Sequence, residues 1–332
     1  MPGDTPVAVP AESPSQAAIA PRDPTVPLML GLVTVWGLAF VGLKVLGEVL
    51  DPYQMTWYRY FPFILIYGTW IVLRRRHVFR TVSGTDWLKF TMLGFFGVIG
   101  YHFTLNWGLH GTGPDSVSAA TGAILVATTP LFTLAIATVM GQERWNLAAA
   151  FGSVLAFLGV VVVTLMGHGH ADLTLAGKTL VMLVAPASWA LYSVFTKPLV
   201  TRYGGLFVTG VTLSLGALTM VPIGIKYGIA PLASFQARHW FWLAFLALLS
   251  TVAGYAVWNQ ALKRRAASQV AVYIYIQPVI TAIAAYFLLH DALTPWFIAG
   301  AALVLAGIIT VNVARRQAQA ASTLPVASTA KT

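Results

Sequence analysis

The chain is a succession of long apolar segments separated by short polar connections. Each segment is about 20 residues long, which is the length that a helix needs to cross the hydrocarbon core of a bilayer. No connection between them is long enough to hold a soluble domain. The pattern predicts an all-α integral membrane protein. Its ten predicted transmembrane helices are Pro27–Glu48, Pro52–Leu73, Asp86–Leu109, Ser116–Met140, Asn146–Met166, Leu173–Leu199, Leu206–Tyr227, Arg238–Leu262, Ala267–Leu289 and Pro295–Val313.

The second half of the chain repeats landmarks of the first half in the same order. Trp36 and Lys44 recur with the same spacing as Trp189 and Lys197. The later matches are Gly100-Tyr101 with Gly254-Tyr255, Pro130 with Pro278, Glu143 with Asp291, Gly152 with Gly300, and Gly159 with Gly307. A short insertion, His110–Asp115, is assigned to the first half. A duplicated membrane unit is the usual ground plan of a transporter, whose binding site lies between the halves.

Lysines and arginines predict the orientation, because they are retained on the cytoplasmic side of a membrane. With the N-terminus in the cytoplasm, the outer side receives only Lys178, Lys226 and Arg238. Both termini are therefore predicted to be cytoplasmic. Five spans per half make the second half enter with the opposite orientation, which predicts inverted repeats. The predicted divisions are a disordered cytoplasmic tail at 1–26, repeats at 27–166 and 173–313, and a cytoplasmic tail at 314–332.

Composition indicates a lipid environment and excludes several functional classes. Hydrophobic residues make up 58% of the chain and charged residues 9%, against roughly 25% charged in a soluble domain. The absence of cysteine excludes a disulfide framework and a thiolate metal site. The net charge of +10 is interpreted as contact with lipid headgroups rather than nucleic acid. His168 and His170 are interpreted as an outer loop, since a metal site needs more ligands, and no cofactor is predicted.

Large polar and aromatic side chains inside the spans are the candidates for a binding cavity. A polar group in hydrocarbon needs a partner or a water-filled space. The candidates lie mostly on the matched third and eighth spans, with additions from the first, sixth and ninth. They are Trp36, Tyr101, His102, Asn106, Trp107, Trp189, Tyr192, Tyr255, Trp258, Asn259, Tyr273 and Gln277. For any one of them helix packing is the favoured alternative, but the set favours a cavity for a small amphipathic solute.

Two matched prolines and one lysine are further candidates. Pro130 and Pro278 each remove a backbone hydrogen bond inside a span, so the pair predicts helix breaks that act as hinges. Lys44 is a candidate carboxylate contact or gate. Snorkelling to the headgroups, with Glu48 as an i,i+4 partner, is an equal alternative for Lys44.

Acidic residues are absent from the interior of the predicted spans. All 10 of them lie in tails, loops or helix ends. Because a proton-coupled antiporter usually keeps an intramembrane acid, facilitated diffusion or exchange, or coupling through His102, is favoured. The sequence has no G-x-x-x-x-G-K motif to support an ATP-driven pump. Arg59 is assigned to a structural ion pair with Glu48 or Asp51.

The ordered combination of motifs resembles a known family. W-G-x-x-F-x-x-x-K in the first span, an arginine early in the second, and P-L-F-T followed by G-Q-E-R-W and F-G-S-V-L-A-F-L-G resemble the EamA family of the drug/metabolite transporter superfamily. The resemblance covers about residues 28–313 and is closest to YddG-type exporters of aromatic and other neutral amino acids. It implies a central cavity lined mainly by the first, third, fourth, sixth, eighth and ninth helices. The expected setting is a bacterial inner membrane, with the chain acting as a monomer.

The sequence therefore predicts an exporter of amino acids or related small metabolites that works by alternating access. Export of drugs or other organic solutes is the alternative within transport, and a cavity free of buried carboxylates makes cations the poorer candidates. A membrane-embedded enzyme is the alternative of another class. Such an enzyme would need a nucleophile–base pair or a metal cluster, and no paired acids accompany His102.

Overall fold

The computed structural model describes residues 24–111, 117–141, 147–166, 173–227 and 232–323, and these ranges are helical with short connections. The α-helices are α1 Thr25–Leu46, α2 Pro52–Arg75, α3 Gly84–Phe95, α4 Thr104–Leu109, α5 Ala119–Val126, α6 Thr129–Val139, α7 Leu147–Met166, α8 Leu173–Met182, α9 Val184–Tyr203, α10 Gly205–Leu218, α11 Val221–Tyr227, α12 Ala237–Ala244, α13 Gly254–Arg264, α14 Ala267–Ala271, α15 Gln277–Leu289 and α16 Pro295–Thr323. The remaining helical segments are 3₁₀ turns at Arg76–Thr81, Leu232–Ser234 and Val272–Ile276, and π-helical segments at Phe96–Phe103 and Phe245–Ala253.

Seven helical stretches in the described part of the chain are long and apolar enough to cross a membrane. They are Thr25–Leu46, Gly84–Leu109, Ala119–Val139, Gly177–Tyr203, Gly205–Tyr227, Ala237–Arg264 and Ala267–Leu289. In α2, Arg59 and several tyrosines lower the hydropathy, and α7 and α16 contribute the shorter apolar stretches Val154–Val163 and Pro295–Val311. The all-helical membrane class is confirmed, while the total of ten spans stays a prediction.

Two of the long stretches contain a π-helical segment at corresponding places. The segment Phe96–Phe103 joins α3 to α4, and Phe245–Ala253 joins α12 to α13. A π turn holds an extra residue and leaves some backbone carbonyls outside the regular helical pattern. The carbonyl of Gly97 accepts a hydrogen bond from Tyr255 Oη at 3.1 Å, and that of Ser250 accepts one from Trp36 Nε1 at 2.9 Å. Both π segments therefore offer acceptors to side chains from the other half of the chain.

The matched prolines both stand in the first turn of a helix that follows a break. α5 ends at Val126, and Pro130 lies at the start of α6. In the second half a 3₁₀ turn ends directly before α15, where Pro278 lies. Proline fits the first helical turn because it lacks an N–H, and it cannot extend the turn before it. The helix breaks are present as expected, and their use as hinges stays a prediction.

The matched glycines bring α7 and α16 into backbone contact. A Cβ built on Gly152 would lie 2.6 Å from the carbonyl oxygen of Gly307, and one on Gly159 would lie 2.6 Å from that of Gly300. Such close approach of helices requires small residues. Since 152 meets 307 and 159 meets 300, the two helices run in opposite directions. This is the contact expected between inverted copies.

The buried core of the protein contains large aromatic side chains among its apolar residues, and the outer surface is apolar as well. Trp258, Tyr192 and Tyr255 are among the largest side chains that are fully buried. Large apolar side chains such as Phe157 and Ile283 are instead more than half exposed. An apolar exterior of this extent would aggregate in water, and lipid is its natural solvent.

The described helices differ from the predicted divisions at the two ends. α1 begins at Thr25, and α16 continues past the predicted end of the second repeat, Val313, to Thr323. The extension is rich in Ala, Gln and Arg, which have high helix propensity. Several predictions lie outside the described residues: almost all of the tail at 1–26, most of the insertion His110–Asp115, the loop histidines His168 and His170, and Glu143.

Candidate functional site

A small cavity lies at the centre of the bundle, where both halves of the chain meet. Its walls come from α1, α2, α4, α9, α13 and the two π segments. The lining residues are Trp36, Ala39, Phe40, Leu43, Arg59, Tyr101, His102, Leu105, Trp189, Ser250 and Tyr255. The volume open to the centre of a water molecule is about 20 Å³, which is room for one water rather than an organic solute. This central cavity is therefore too small for an organic solute in the described conformation.

The matched tryptophans of the two halves meet beside the central cavity. The rings of Trp36 and Trp189 lie edge to face with centroids 5.4 Å apart. Trp258 lies 5.3 Å from each of them, so the three indoles form a triangle. Trp189 also contacts Tyr101 at 4.9 Å and Tyr255 at 5.1 Å. Aromatic pairs of this kind each stabilise packing by about 0.5–1.5 kcal/mol beyond the area they bury.

Tyr255 is the hydrogen-bonding hub of the cavity wall. Its hydroxyl lies 3.1 Å from Tyr60 Oη and 2.9 Å from His102 Nε2, and it donates to the carbonyl of Gly97. Tyr255 and His102 are both buried, and His102 Nδ1 has no hydrogen-bond partner among the described residues. The hub connects α2, the first π segment and α13. Movement of any of these elements therefore requires the network to rearrange.

Arg59 lies in the wall of this cavity, although the sequence predicted an ion pair for it with Glu48 or Asp51. Its Nε donates to Thr251 Oγ1 at 2.5 Å and its Nη2 donates to Ser250 Oγ at 2.8 Å, and the residue is only 3% exposed. The predicted ion pair of Arg59 with Glu48 or Asp51 is wrong. Glu48 pairs instead with an arginine of α12, and the helix carries the Arg59 side chain away from Asp51 toward the bundle centre.

Two asparagines bind matched threonines and do not line the central cavity. Asn106 Nδ2 donates to Thr56 Oγ1 at 2.9 Å, and Asn259 Nδ2 donates to Thr209 Oγ1 at 2.6 Å. Asn259 also donates to Tyr192 Oη at 3.0 Å. All four side chains of the matched pairs are buried, so each bond ties two helices together where water does not compete. The geometry supports a packing role for these asparagines.

Of the other predicted residues, some pack behind the cavity lining and some lie away from the cavity. Tyr192 and Trp258 are fully buried against the lining tryptophans without reaching the cavity themselves. Tyr273 and Gln277 lie at the break before α15 and do not line the cavity. Trp107 is 40% exposed on the outside of the bundle. It lies five residues after His102, which turns it away from the face of His102 on a helix of about 3.6 residues per turn.

Lys44 and its counterpart Lys197 hold the ends of matched helices. Lys44 Nζ donates to the carbonyls of Leu109 at 3.2 Å, Gly111 at 2.9 Å and Val117 at 3.2 Å, and α4 ends at Leu109. Lys197 Nζ donates to the carbonyl of Leu262 at 2.9 Å, in the last turn of α13. A cation at a helix C-terminus satisfies free carbonyls and the helix dipole. These contacts support a helix-end clamp rather than a carboxylate contact.

Two ion pairs join the halves on opposite sides of the central cavity. Glu48 Oε2 lies 2.7 Å from Arg238 Nη2, which we name the α1–α12 latch. Asp86 Oδ2 lies 2.8 Å from Arg202 Nη1, which we name the α3–α9 latch. The first latch lies near the end of α4, which Lys44 holds, and the second lies at the start of α3. Because α3 and α4 belong to one continuous helical stretch, the latches lie at opposite ends of it.

The carboxylate of the α3–α9 latch is more buried than that of the α1–α12 latch, while its Arg202 side chain is 60% exposed. The Asp86 side chain is 4% exposed and also accepts hydrogen bonds from Tyr203 Oη at 2.7 Å and Lys89 Nζ at 3.2 Å. The side chains of Glu48 and Arg238 are 34% and 54% exposed. An exposed pair contributes about 0–1 kcal/mol, and a carboxylate with several donors in a buried setting contributes more.

Comparison with known proteins identifies relatives over nearly the whole chain. The EamA-like transporter family matches residues 24–165 and again residues 178–313. An uncharacterized transporter of Archaeoglobus fulgidus is 30% identical over 84% of this chain and 95% of its own length. A probable terminal-alkyne amino-acid exporter of Streptantibioticus cattleyicolor is 30% identical over 70% of this chain and 75% of its own. A known crystal structure superposes with a TM-score of 0.63 at 18% identity, covering 89% of this chain and 98% of that one, and shows the shared fold.

Proposed function

We propose that this chain, which belongs to the EamA-like transporter family, exports aromatic and other neutral amino acids or related small metabolites by alternating access. Membership of this family makes the chain a multi-pass membrane transporter of a small molecule rather than an enzyme. The observation that carries the finer proposal is the central cavity. It is enclosed by the matched tryptophans of both halves and lies between two latches.

The proposed topology has ten spans in two inverted repeats at 27–166 and 173–313, with both termini in the cytoplasm. The opposite directions of α7 and α16 support it, as do the matched bonds of the two lysines and of the two asparagines. The distribution of lysine and arginine supports the orientation. We place the protein in the bacterial inner membrane as a monomer surrounded by lipid.

Alternating access follows from the two latches. With both latches formed, the central cavity has room for one water and is too small for an organic solute. Opening one latch separates the halves on that side and widens the cavity toward it, while the other latch keeps the opposite side sealed. Two equivalent halves make the two open forms similar in energy, so a solute can be taken up on one side and released on the other.

The chemistry of the cavity favours amino acids over cationic drugs. The tryptophan and tyrosine rings suit an aromatic or apolar side chain, and the Arg59 guanidinium suits a carboxylate. An organic cation would meet this guanidinium in a setting of low dielectric constant. The name of the Streptantibioticus relative, a probable amino-acid exporter, agrees with this preference.

Solute flux into proteoliposomes tests the proposed function. The purified chain should move radiolabelled phenylalanine, tryptophan and leucine across protein-only liposomes, with and without a pH gradient and with and without a membrane potential. Flux that is independent of both gradients is expected for facilitated diffusion or exchange, because the described spans carry no interior acid to relay a proton. Flux of an organic dye such as ethidium without amino-acid flux would instead support the drug exporter.

Breaking a latch should open the central cavity on that side. The chain lacks cysteine, so Ala39→Cys places a single reporter thiol in the cavity wall. Glu48→Gln should raise its labelling by a membrane-impermeant maleimide up to about fivefold from one side, as expected for an exposed pair of about 1 kcal/mol. Asp86→Asn should raise labelling more strongly, because the Asp86 carboxylate accepts bonds from several donors. The labelling should rise from the opposite side, because this latch lies at the other end of the stretch that contains α3 and α4.

The charge-swapped pair provides the control for the α1–α12 latch. Glu48→Arg combined with Arg238→Glu keeps the attraction and should return labelling to the level of the reporter alone. Equal labelling from both sides in each single variant would contradict the assignment of the latches to opposite sides.

A further inference from the structure

Arg59 is a buried cation without a carboxylate partner in the described part of the chain. Its side chain lies in the wall of the central cavity and is 3% exposed. Its two hydrogen bonds go to the hydroxyls of Ser250 and Thr251, which are neutral. Placing a charged group out of water is costly unless an opposite charge or several strong hydrogen bonds accompany it. The two hydroxyls offset only part of this cost.

The acids in the described part of the chain lie away from Arg59. Glu48 and Asp86 form the two latches, and Asp51 lies at the start of α2 with its Oδ1 4.0 Å from His110 Nε2. Asp291 follows the end of α15, and like the other three it is absent from the cavity wall. Among the described residues, no ion pair includes Arg59.

The guanidinium has donors that no hydrogen bond with the described residues engages. Arginine carries five N–H donors, of which one on Nε and one on Nη2 are engaged. Nη1 has no hydrogen-bond partner among the described residues, although Arg59 borders the open volume. The remaining N–H groups on Nη1 and Nη2 have the parallel geometry that binds both oxygens of a carboxylate.

We propose that Arg59 binds the carboxylate of the transported solute. Recognition of the carboxylate, rather than of the amino group, then determines which solutes are carried. The inference rests on the proposed function, since it names the anchor within that same site. Tyr101 and His102 line the cavity together with Arg59, and the indole rings of Trp36 and Trp189 receive the apolar part of the solute. The substrate class is therefore amphipathic monocarboxylates, which include zwitterionic amino acids.

The amino group of an amino acid has weaker partners in this cavity. The described wall offers ring faces and hydroxyls to an ammonium, but no carboxylate. Cation–π contact with indole contributes less than a charge-assisted fork on a carboxylate. Removal of the carboxylate from a solute should therefore matter more than removal of its amine.

A set of four matched solutes tests this order in the unmodified protein. They are phenylalanine, phenylalaninamide, phenethylamine and 3-phenylpropionate, each used to compete with labelled phenylalanine flux in proteoliposomes. We expect phenylalanine and 3-phenylpropionate to compete within about tenfold of each other, and the two carboxylate-free amines to be about 10- to 100-fold weaker, as for the loss of charge-assisted hydrogen bonds. Equal competition by phenylalaninamide would overturn the role of Arg59.

Variants of α2 test the residue itself. Arg59→Gln should lower phenylalanine flux per folded molecule by about 10- to 100-fold. Arg59→Lys keeps the charge but loses the forked donor geometry, so its flux should lie between that of Arg59→Gln and that of the parent chain. Arg74→Gln is the matched control, because Arg74 lies on the same helix and is exposed. Monodispersity in size-exclusion chromatography reports folding, and thermal stabilisation by 3-phenylpropionate in parent and variant reports binding.

The outcomes separate the two proposals. If the parent chain gives no protein-dependent flux of any solute, the proposed transport of amino acids is wrong, and this inference is wrong with it. Flux of phenylalanine that falls equally in Arg59→Gln and Arg74→Gln would leave the transporter intact and overturn the anchor. If Arg59→Gln does not fold, the competition series in the parent chain still decides, since it requires no variant.

Discussion

Replacing Trp189 by alanine is expected to abolish transport while leaving a chain that still inserts into the membrane. Trp189 is buried and contacts Trp36, Tyr101, Tyr255 and Trp258, so it is the ring that both halves share. Truncating a buried tryptophan removes these contacts and leaves a void, which in protein cores costs about 3–5 kcal/mol. The void would fill with water or collapse, and in both cases the solute would lose the surface that holds its side chain.

Two further variants separate packing from transport at this position. Trp189→Phe keeps an aromatic ring and should retain part of the flux, measured as phenylalanine transport per folded molecule in proteoliposomes. Trp107→Ala is the matched control, because the same truncation at an exposed ring should leave flux unchanged. Full activity of folded Trp189→Ala would argue against the central cavity as the path of the solute.

Replacing Gly159 by valine is expected to lower stability by forcing α7 and α16 apart. A Cβ there would lie 2.6 Å from both the carbonyl oxygen of Gly300 and the backbone nitrogen of Val304, so α7 and α16 would have to separate. Forcing bulk into a tight contact typically costs about 1–3 kcal/mol, and here the obstructing atoms are backbone, which cannot move aside alone. We expect a lower melting temperature in detergent and a lower yield of monodisperse protein.

The control for this change is a glycine with open space around it. Gly31 lies on α1, is exposed, and would have nothing within 4 Å of an added Cβ. Gly31→Val carries the same change in propensity and should melt close to the parent chain. If both variants melt at the same temperature, the close contact of α7 and α16 is not what holds the halves together there.

The helical architecture was readable from the sequence because it rests on local signals. Apolar length predicts the helices, and the matched prolines mark the breaks before α6 and α15. The matched glycines at 152, 159, 300 and 307 were assigned to packing, and they meet one another across α7 and α16. These features depend on residue type and spacing, which a sequence displays directly.

The candidate site was harder to predict, because it depends on the direction in which each side chain points as well as on the position of the residue in the sequence. Arg59 was assigned to acids close to it in sequence, whereas its partners Ser250 and Thr251 lie in the other half of the chain. The signal was present, since an arginine inside an apolar span is costly unless it serves a purpose. The assignment failed because sequence proximity does not show which way a helical face turns.

A second group of misassigned residues follows the first π-helical segment. An extra residue in a turn shifts every later side chain around the helix axis, so regular spacing no longer gives the face. After the segment Phe96–Phe103, Asn106 binds Thr56 and Trp107 is exposed on the outer surface. Tyr101, His102 and Tyr255, which lie within or next to the two segments, do line the central cavity.

The two latches divide their charges between the halves, with both acids in the first and both arginines in the second. Suppose that the first halves of two separate polypeptides associated in the manner of the intact molecule. In the repeat, Asp86 corresponds in place to Arg238 and Glu48 to Arg202. Glu48 of one polypeptide would then face Asp86 of the other, and two second halves would bring Arg202 close to Arg238. Like charges about 4 Å apart repel by about 1 kcal/mol in water and about 4 kcal/mol near a protein surface. Pairing of two like halves is therefore electrostatically unfavourable, and the charges favour association of a first half with a second half.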